Sequence, residues 1–307
     1  MSQQTTPTLC LFSSYYPEGE IPYYIRFYLS ELRRHCQKVV YITNRKLLPP
    51  DSQKFLEEGQ MDCLFVEDEG YDFGMWSKAL ESYSLADYHR LILANDSCIL
   101  WTHLDEALQR IEENKWEYAG LLASPESGYH IQSYFLVLSP TAFEPFCIYL
   151  REKGIRKDMQ DVIHTYEIGV TAFMKKLNLR IGAAYDYTQN GSKFNPVYAH
   201  ISELMKAGFP LIKKKMLFDT FGLKERITLM RNGVKTGFRF YIALLEQQTN
   251  GKPRNIKSAG ILKDRKRYIH LGQIAWQSAF INLYSLLRKI TGRGTSGSIE
   301  PQSIHKK

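Results

Sequence analysis

The chain has 307 residues, 44% of them apolar, which is enough for one large core or one domain with an appendage. Five cysteines (Cys10, Cys36, Cys63, Cys98, Cys147), odd in number and without CxxC spacing, argue against a zinc site or a disulfide framework and fit a reducing compartment. The net charge of +8 is uneven: residues 1–220 carry 23 Lys/Arg against 28 Asp/Glu, and residues 221–293 carry 15 against 3.

The N-terminus, MSQQTTPTLC, lacks the basic and apolar regions of a secretory signal. No stretch approaches the ~18 consecutive apolar residues of a membrane span. A cytoplasmic protein is expected. The charge shift divides it into a domain over 1–220, a basic helical extension over 221–293 and a polar tail over 294–307, expected to be disordered. A basic appendage on a near-neutral domain suits an anionic surface, either membrane headgroups or nucleic acid. The basic residues accompany no nucleic-acid recognition motif, so nucleic acid is not expected as a partner.

In chain order, residues 8–14 (TLCLFSS) read as a strand. Residues 22–36 carry Tyr24, Phe27, Tyr28 and Leu32 at helical spacing behind Pro22. KVVYITN (38–44) is a short β-branched run. The alternation continues with a strand at 62–66, a helix at 75–84 and a strand at 90–94. It predicts a parallel sheet flanked by helices. A surface helix is expected at 104–114, a buried strand at 131–138, a helix at 160–176 and a strand at 179–185. Residues 186–200 are polar and turn-rich. Helices are expected at 226–248 and 271–290. The second places Trp276, Phe280, Leu283, Leu287 and Ile290 on one face, which suits a core, a partner or a membrane interface.

Three segments carry chemistry. In EGYDFGMWSKAL (69–80), Gly70 and Gly74 permit a tight turn, and the following helix can aim free N–H groups at a phosphate or ribose. A plain strand-to-helix turn would look similar. LILANDSC (91–98) ends an apolar strand in Asn95, Asp96 and Ser97, at the edge where open α/β sheets bind ligands. A carboxylate there can hold a divalent ion against a nucleoside diphosphate, or cap the next helix. YEIGVTAFMKK (166–176) sets Glu167 near an expected helix N-terminus, where the dipole favours an ionised carboxylate able to act as a base. Glutamates also occupy such positions for stability alone.

In order, EGYDFGMW (69–76), ANDSC (94–98), HIQSYFLVLS (130–139), YEIGVT (166–171) and NPVYAHISELMKAGFPLIKKKML (195–217) resemble the rhamnan synthesis protein F family of cell-wall and lipopolysaccharide biosynthesis. The likeness spans roughly residues 8–218, and beyond about residue 220 nothing is recognised. It implies a GT-A nucleotide-sugar fold, a Rossmann-type α/β sheet, mixed and mostly parallel and flanked by helices, in which an Asp-x-Asp element at a strand end usually binds a metal. Here Asn95 and Ser97 flank a single carboxylate, Asp96. Mg2+ or Mn2+ at Asp96 is therefore one reading, and neutralisation by Lys213, Lys214 and Lys215 the other.

The resemblance further implies transfer of a sugar, with rhamnose favoured, from a nucleotide-sugar donor to a lipid-linked glycan acceptor. Glu167 is then the candidate base, with Asp161 in reserve. Gly70, Tyr71, Asp72, Gly74, Trp76, Asn95, Asp96, Ser97, His130, Gln132, Lys213 and Lys214 are candidates for donor binding. Asp72 can instead meet the nucleoside, and Trp76 can pack in the site or the core. The basic extension would hold the catalytic domain against an anionic membrane face. The competing expectation is a non-catalytic sugar-nucleotide or glycan-binding scaffold, for which the incomplete acidic motif speaks.

Overall fold

The computed structural model describes residues 6–15, 20–67, 69–190 and 193–214. The basic extension, its two predicted helices, the tail, the boundary at 220 and Lys215 lie outside the described residues.

The sheet forms for the reason its central strands suggest: they are buried on both faces. β1 (Thr8–Ser14) is buried along its whole length. Cys10 and Phe12 point into one core, Leu9 and Leu11 into the other. Strands buried on both sides need a helical layer on each face. On the first face lie α1 (Tyr23–His35), through Ile25, Tyr28, Leu29 and Leu32, and α4 (Asp105–Glu113), through Leu108 and Ile111. On the second lie α3 (Tyr71–Ser82), through Phe73 and Trp76, and α5 (Pro140–Lys153), through Phe143 and Phe146.

β2 (Lys38–Thr43), β3 (Asp62–Phe65) and β4 (Arg90–Asn95) join β1 in the parallel order β3-β2-β1-β4. β8 (Phe135–Leu138) then runs antiparallel between β4 and β6 (Tyr118–Ser124). β9 (Ile181–Tyr185) restores the parallel direction against β6. The antiparallel β8 is what the alternation alone did not predict; the mixed, mostly parallel Rossmann-type sheet that the resemblance implied is the one observed. Its order reverses between β1 and β4, where an open sheet leaves a crevice at the strands' carboxyl ends.

Several elements differ from the sequence-based reading. α3 starts at Tyr71, four residues early, because Gly70 (φ 79°) and Tyr71 (φ 55°) take left-handed backbone and turn the chain straight into the helix. The strand expected at 131–138 is two strands, β7 (His130–Ile131) and β8, parted by residues 132–134. The helix expected at 160–176 is α6 (Met159–Val162), a π-helical stretch Ile163–Ile168 and α7 (Gly169–Lys176). α2 (Pro50–Glu58), β6 and α5 had no counterpart in the sequence reading.

A second, two-stranded sheet bears directly on the crevice. β10 (Leu211–Lys213) pairs antiparallel with β5 (Cys98–Leu100), setting Lys213 opposite Cys98. Among the described residues no helix is long and apolar enough to cross a membrane.

Candidate functional site

The crevice begins where β1 and β4 end. Asp96 N donates to the Ser13 carbonyl at 3.2 Å, so the tips of the two strands are tied together. Ser13 Oγ donates to Asp72 Oδ1 (2.8 Å) and Asn95 Nδ2 to Asp72 Oδ2 (2.6 Å), which brings the first turn of α3 into the same knot. Ser97 donates to Asn95 Oδ1 through both N (3.1 Å) and Oγ (2.6 Å). Burial, and then the charge of Asp96, push the Asp72 carboxyl up to about 6, while Ser13, Lys213 and Asn95 pull the other way. Burial raises Asp96 too, against the pull of Lys214 and Ser14.

Two lysines close this end. Lys214 Nζ lies 3.1 Å from Asp96 Oδ2 and 3.4 Å from Tyr24 Oη. Lys213 Nζ sits over the Tyr134 ring, 4.5 Å from its centre. Their placement follows from the β10–β5 pairing, which Lys214 N extends by donating to the Ser97 carbonyl at 3.0 Å.

A second cluster surrounds Glu167. Gln132 Nε2 donates to Glu167 Oε1 (2.8 Å), and Ser133 Oγ donates to Oε2 (3.2 Å). His130 Nε2 lies 3.5 Å from Glu167 Oε1 and 3.0 Å from Gln132 Nε2, and its Nδ1 is 2.9 Å from the Gly128 carbonyl. With the proton on Nδ1, His130 donates to Gly128 and accepts at Nε2 from Gln132. Both Gln132 amide hydrogens are then used, and its Oε1 accepts from Asn195 Nδ2 at 3.0 Å. Burial lowers the His130 pKa, but Glu167, the Gly128 carbonyl and the Glu126 charge outweigh it and the net direction is up.

The two clusters are joined by residues 132–134. Gln132 and Ser133 hold Glu167, while the Tyr134 carbonyl accepts from Asn95 N at 3.3 Å and its ring carries Lys213. One short segment thus connects the Glu167 carboxylate to the strand tips that hold the two lysines.

The model of the family described as rhamnan synthesis protein F matches residues 39–248, well over half of the chain. The chain belongs to this family. The match runs past residue 220, where the sequence reading found no likeness. Family membership places the protein in polysaccharide synthesis. No curated protein matches the sequence. Solved structures similar to it include a cytidylyltransferase from Leptospira borgpetersenii (12% identity, 62% of this chain and 80% of that one, TM-score 0.38). A candidate nucleotide-diphospho-sugar transferase from Desulfovibrio desulfuricans is another (15%, 66% and 96%, 0.37). So is 4-diphosphocytidyl-2C-methyl-D-erythritol synthase from Anaerococcus prevotii (8%, 61% and 92%, 0.39).

Within this rhamnan synthesis family member, Asp72, Asn95, Asp96, Ser97, Lys213 and Lys214 come together at the strand tips, and His130, Gln132 and Glu167 form the second, linked cluster. Several candidates do not join them. Trp76 is fully buried against Phe73, their rings 5.0 Å apart, so it packs the core. Gly70 and Gly74 serve packing: a Cβ on Gly70 would meet Ile155 at 2.8 Å, and one on Gly74 the Glu69 carbonyl oxygen at 1.8 Å. Asp161 faces Arg156 (3.6 Å) and Thr165 (3.2 Å). Tyr71 is 40% exposed at the start of α3.

Glu167 is not near a helix N-terminus. It sits in the π-helical stretch, well inside the continuous helix that Asp158 caps, so hydrogen bonds from Gln132 and Ser133 hold its carboxylate where a dipole was expected to. Ser13, Ser14, Tyr24, Ser133 and Asn195 were missed as partners, although Asn195 lies in the family-like NPVYAH run.

The residues at the strand tips do not fit a divalent cation. Mg2+ takes about six oxygens at about 2.0–2.1 Å. Both Asp72 oxygens and the Asn95 oxygen are taken as hydrogen-bond acceptors, and Asp96 Oδ2 is shared by Lys214 and Ser14 (3.3 Å). Among the described residues, three metal-ligating side chains meet instead at Glu31, His35 and Asp105. There Arg34 already lies 2.7 Å from Glu31 Oε2 and 3.5 Å from Asp105 Oδ1, filling the cation's place.

Proposed function

We propose that this chain is a nucleotide-sugar transferase of polysaccharide synthesis that moves L-rhamnose from dTDP-β-L-rhamnose to a hydroxyl of a lipid-linked glycan. The observation that carries the reading is the joined site: Glu167, held by Gln132 and Ser133, is linked through the adjoining Tyr134 to the strand tips with Asn95 and Asp96 and to Lys213 and Lys214 that face them. Membership of the rhamnan synthesis protein F family supports the sugar.

The chemistry is one displacement with inversion. The acceptor oxygen bonds to the anomeric carbon as the bond from that carbon to the diphosphate oxygen breaks. The hydroxyl proton passes to Glu167, and negative charge collects on the departing nucleoside diphosphate at the β1–β4 end. The hydrogen bonds from Gln132 and Ser133 fix both carboxylate oxygens, so the base is oriented before the acceptor arrives. Tyr129, next to His130, and Tyr198, on the short helix α8 (Pro196–Ala199) that Asn195 caps, are 40% and 48% exposed. Their ring faces suit the C–H faces of a glycan. The basic stretch 221–293 would bring the domain to the anionic inner face of the membrane that carries such an acceptor.

The test is Glu167→Gln, assayed with dTDP-rhamnose and a lipid-linked glycan fraction. The variant should keep the donor-dependent rise in melting temperature and lose dTDP release by about a hundredfold or more. Undiminished release would remove Glu167 as the base. Wild-type protein that neither binds nor turns over any nucleotide sugar would leave a non-catalytic scaffold as the reading.

A further inference from the structure

We infer that the donor's diphosphate is neutralised by two lysines in place of a divalent metal: Lys214, seated on Asp96, and Lys213, poised over Tyr134. This rests on the nucleotide-sugar reading above and specifies how that site handles its anion.

The fold delivers the lysines to the acidic tip. β10 pairs with β5 directly beyond Ser97. Trp101 reinforces the join by donating its N to the Pro210 carbonyl (3.0 Å) and its Nε1 to the Phe209 carbonyl (2.8 Å). Side chains at 213 and 214 are therefore anchored by backbone pairing to the loop that carries Asp96.

Asp96 then serves to hold an ammonium. In the pair the Lys214 side chain is the more exposed, 26% against 11%, so the cation is the face turned towards a ligand. A lysine ammonium has three N–H donors. Asp96 and Tyr24 take two, and one remains for a phosphate oxygen. Lys213 makes no ion pair among the described residues, and its ammonium rests on a ring face, which leaves its donors to a ligand. Two ammonium groups carry the charge of one Mg2+. A metal placed here would first have to displace Lys214 from Asp96, and the neighbouring oxygens of Asn95 and Asp72 are already bound within the protein.

The probe is dTDP, with UDP beside it, titrated calorimetrically into the full chain in chelator and in millimolar Mg2+. Wild-type affinity for the diphosphate it binds should be the same in both. Lys214→Ala should weaken binding in chelator by about 10- to 100-fold, the value of a charged hydrogen bond. Lys214→Arg should retain more affinity than the alanine variant, and its thermal melt serves as a folding control. Mg2+ should partly restore binding to Lys214→Ala, because Asp96 is then released. Lys213→Gln provides a second, independent reading of the same effect. Wild-type binding that appears only with Mg2+ or Mn2+, or lysine variants that bind as wild type in chelator, would overturn the lysine assignment while leaving the nucleotide-sugar site standing. Failure of both nucleotides to bind under either condition would overturn both.

Discussion

Asp72 is where a single residue works against the fold. Its carboxyl is raised to about 6 by burial and by Asp96. The folded state therefore holds this proton more tightly than the unfolded chain does. Stability is greatest below the ordinary aspartate value and falls as pH rises through about 6. At neutral pH the native protein bears that cost. Asp72→Asn can still accept from Asn95 and meet Ser13. It should be more stable than wild type at pH 7 by about 1–3 kcal/mol, the gain vanishing below about pH 4. Denaturant unfolding at the two pH values measures this; an equal change at both would mean that packing is responsible. At this scale, what the sequence made legible was position: Asp96, Glu167 and the paired lysines stood out by their motifs, and the fold sets Lys214 on Asp96 and the Gln132 and Ser133 donors on Glu167. Ser13, Ser14, Ser133 and Asn195 did not stand out, because a serine or asparagine acquires meaning only from the partner that the fold sets beside it.

At the scale of elements, Asn195 shows what sequence spacing cannot carry. Its Oδ1 accepts from Val197 N at 3.1 Å and starts α8, while its Nδ2 holds Gln132, which holds Glu167. One side chain therefore couples the helix bearing Tyr198 to the proposed base. Asn195→Asp separates the two roles. An aspartate still caps the helix, but it presents no hydrogen to Gln132 Oε1. Thermal stability should stay within about 1 kcal/mol of wild type. Turnover should fall about 10- to 100-fold at unchanged donor KM, because the base is misplaced while the donor's contacts survive. Unaltered turnover would show that Glu167 does not depend on this chain of contacts. The π-helical stretch belongs to the same lesson. Periodicity located the helix, but not the extra residue in one turn, which is set by packing such as the Phe73–Tyr166 stack, 4.8 Å between ring centres. β6 (YAGLLAS) lacks β-branched residues, and α5 carries Pro145 in its interior, so neither announces itself through propensity.

At the scale of the molecule, the strand–helix alternation was enough to expect a parallel sheet between helical layers, because strands buried on both faces admit few arrangements; the antiparallel β8 within it followed from no such pattern. Nor did the alternation reveal the joint between α1 and α4 over one face of the sheet. Glu31, 2% exposed on α1, accepts from Leu104 N (2.9 Å) and His35 Nε2 (3.2 Å) on one oxygen. On the other it meets Arg34 Nη1 (2.7 Å) and His103 Nδ1 (3.0 Å). Burial alone would raise its pKa, but these donors overcome it and hold the carboxyl well below the usual range. A depressed acid contributes stability that is present above its unfolded value and lost as pH falls towards the folded one. Its sign is thus opposite to that of Asp72, and the two act in adjacent windows, Glu31 below the ordinary glutamate range and Asp72 above the ordinary aspartate one. Glu31→Gln replaces an acceptor with an N–H₂ that faces donors. It should cost about 2–4 kcal/mol at neutral pH, with the deficit shrinking as wild-type Glu31 itself becomes protonated in acid. Unfolding curves across the acid range would show wild type and variant converging. A gap that stays constant with pH would mean that Glu31 joins the helices by shape, and a variant as stable as wild type would mean that the apolar contacts of α1 and α4 hold the layer without it.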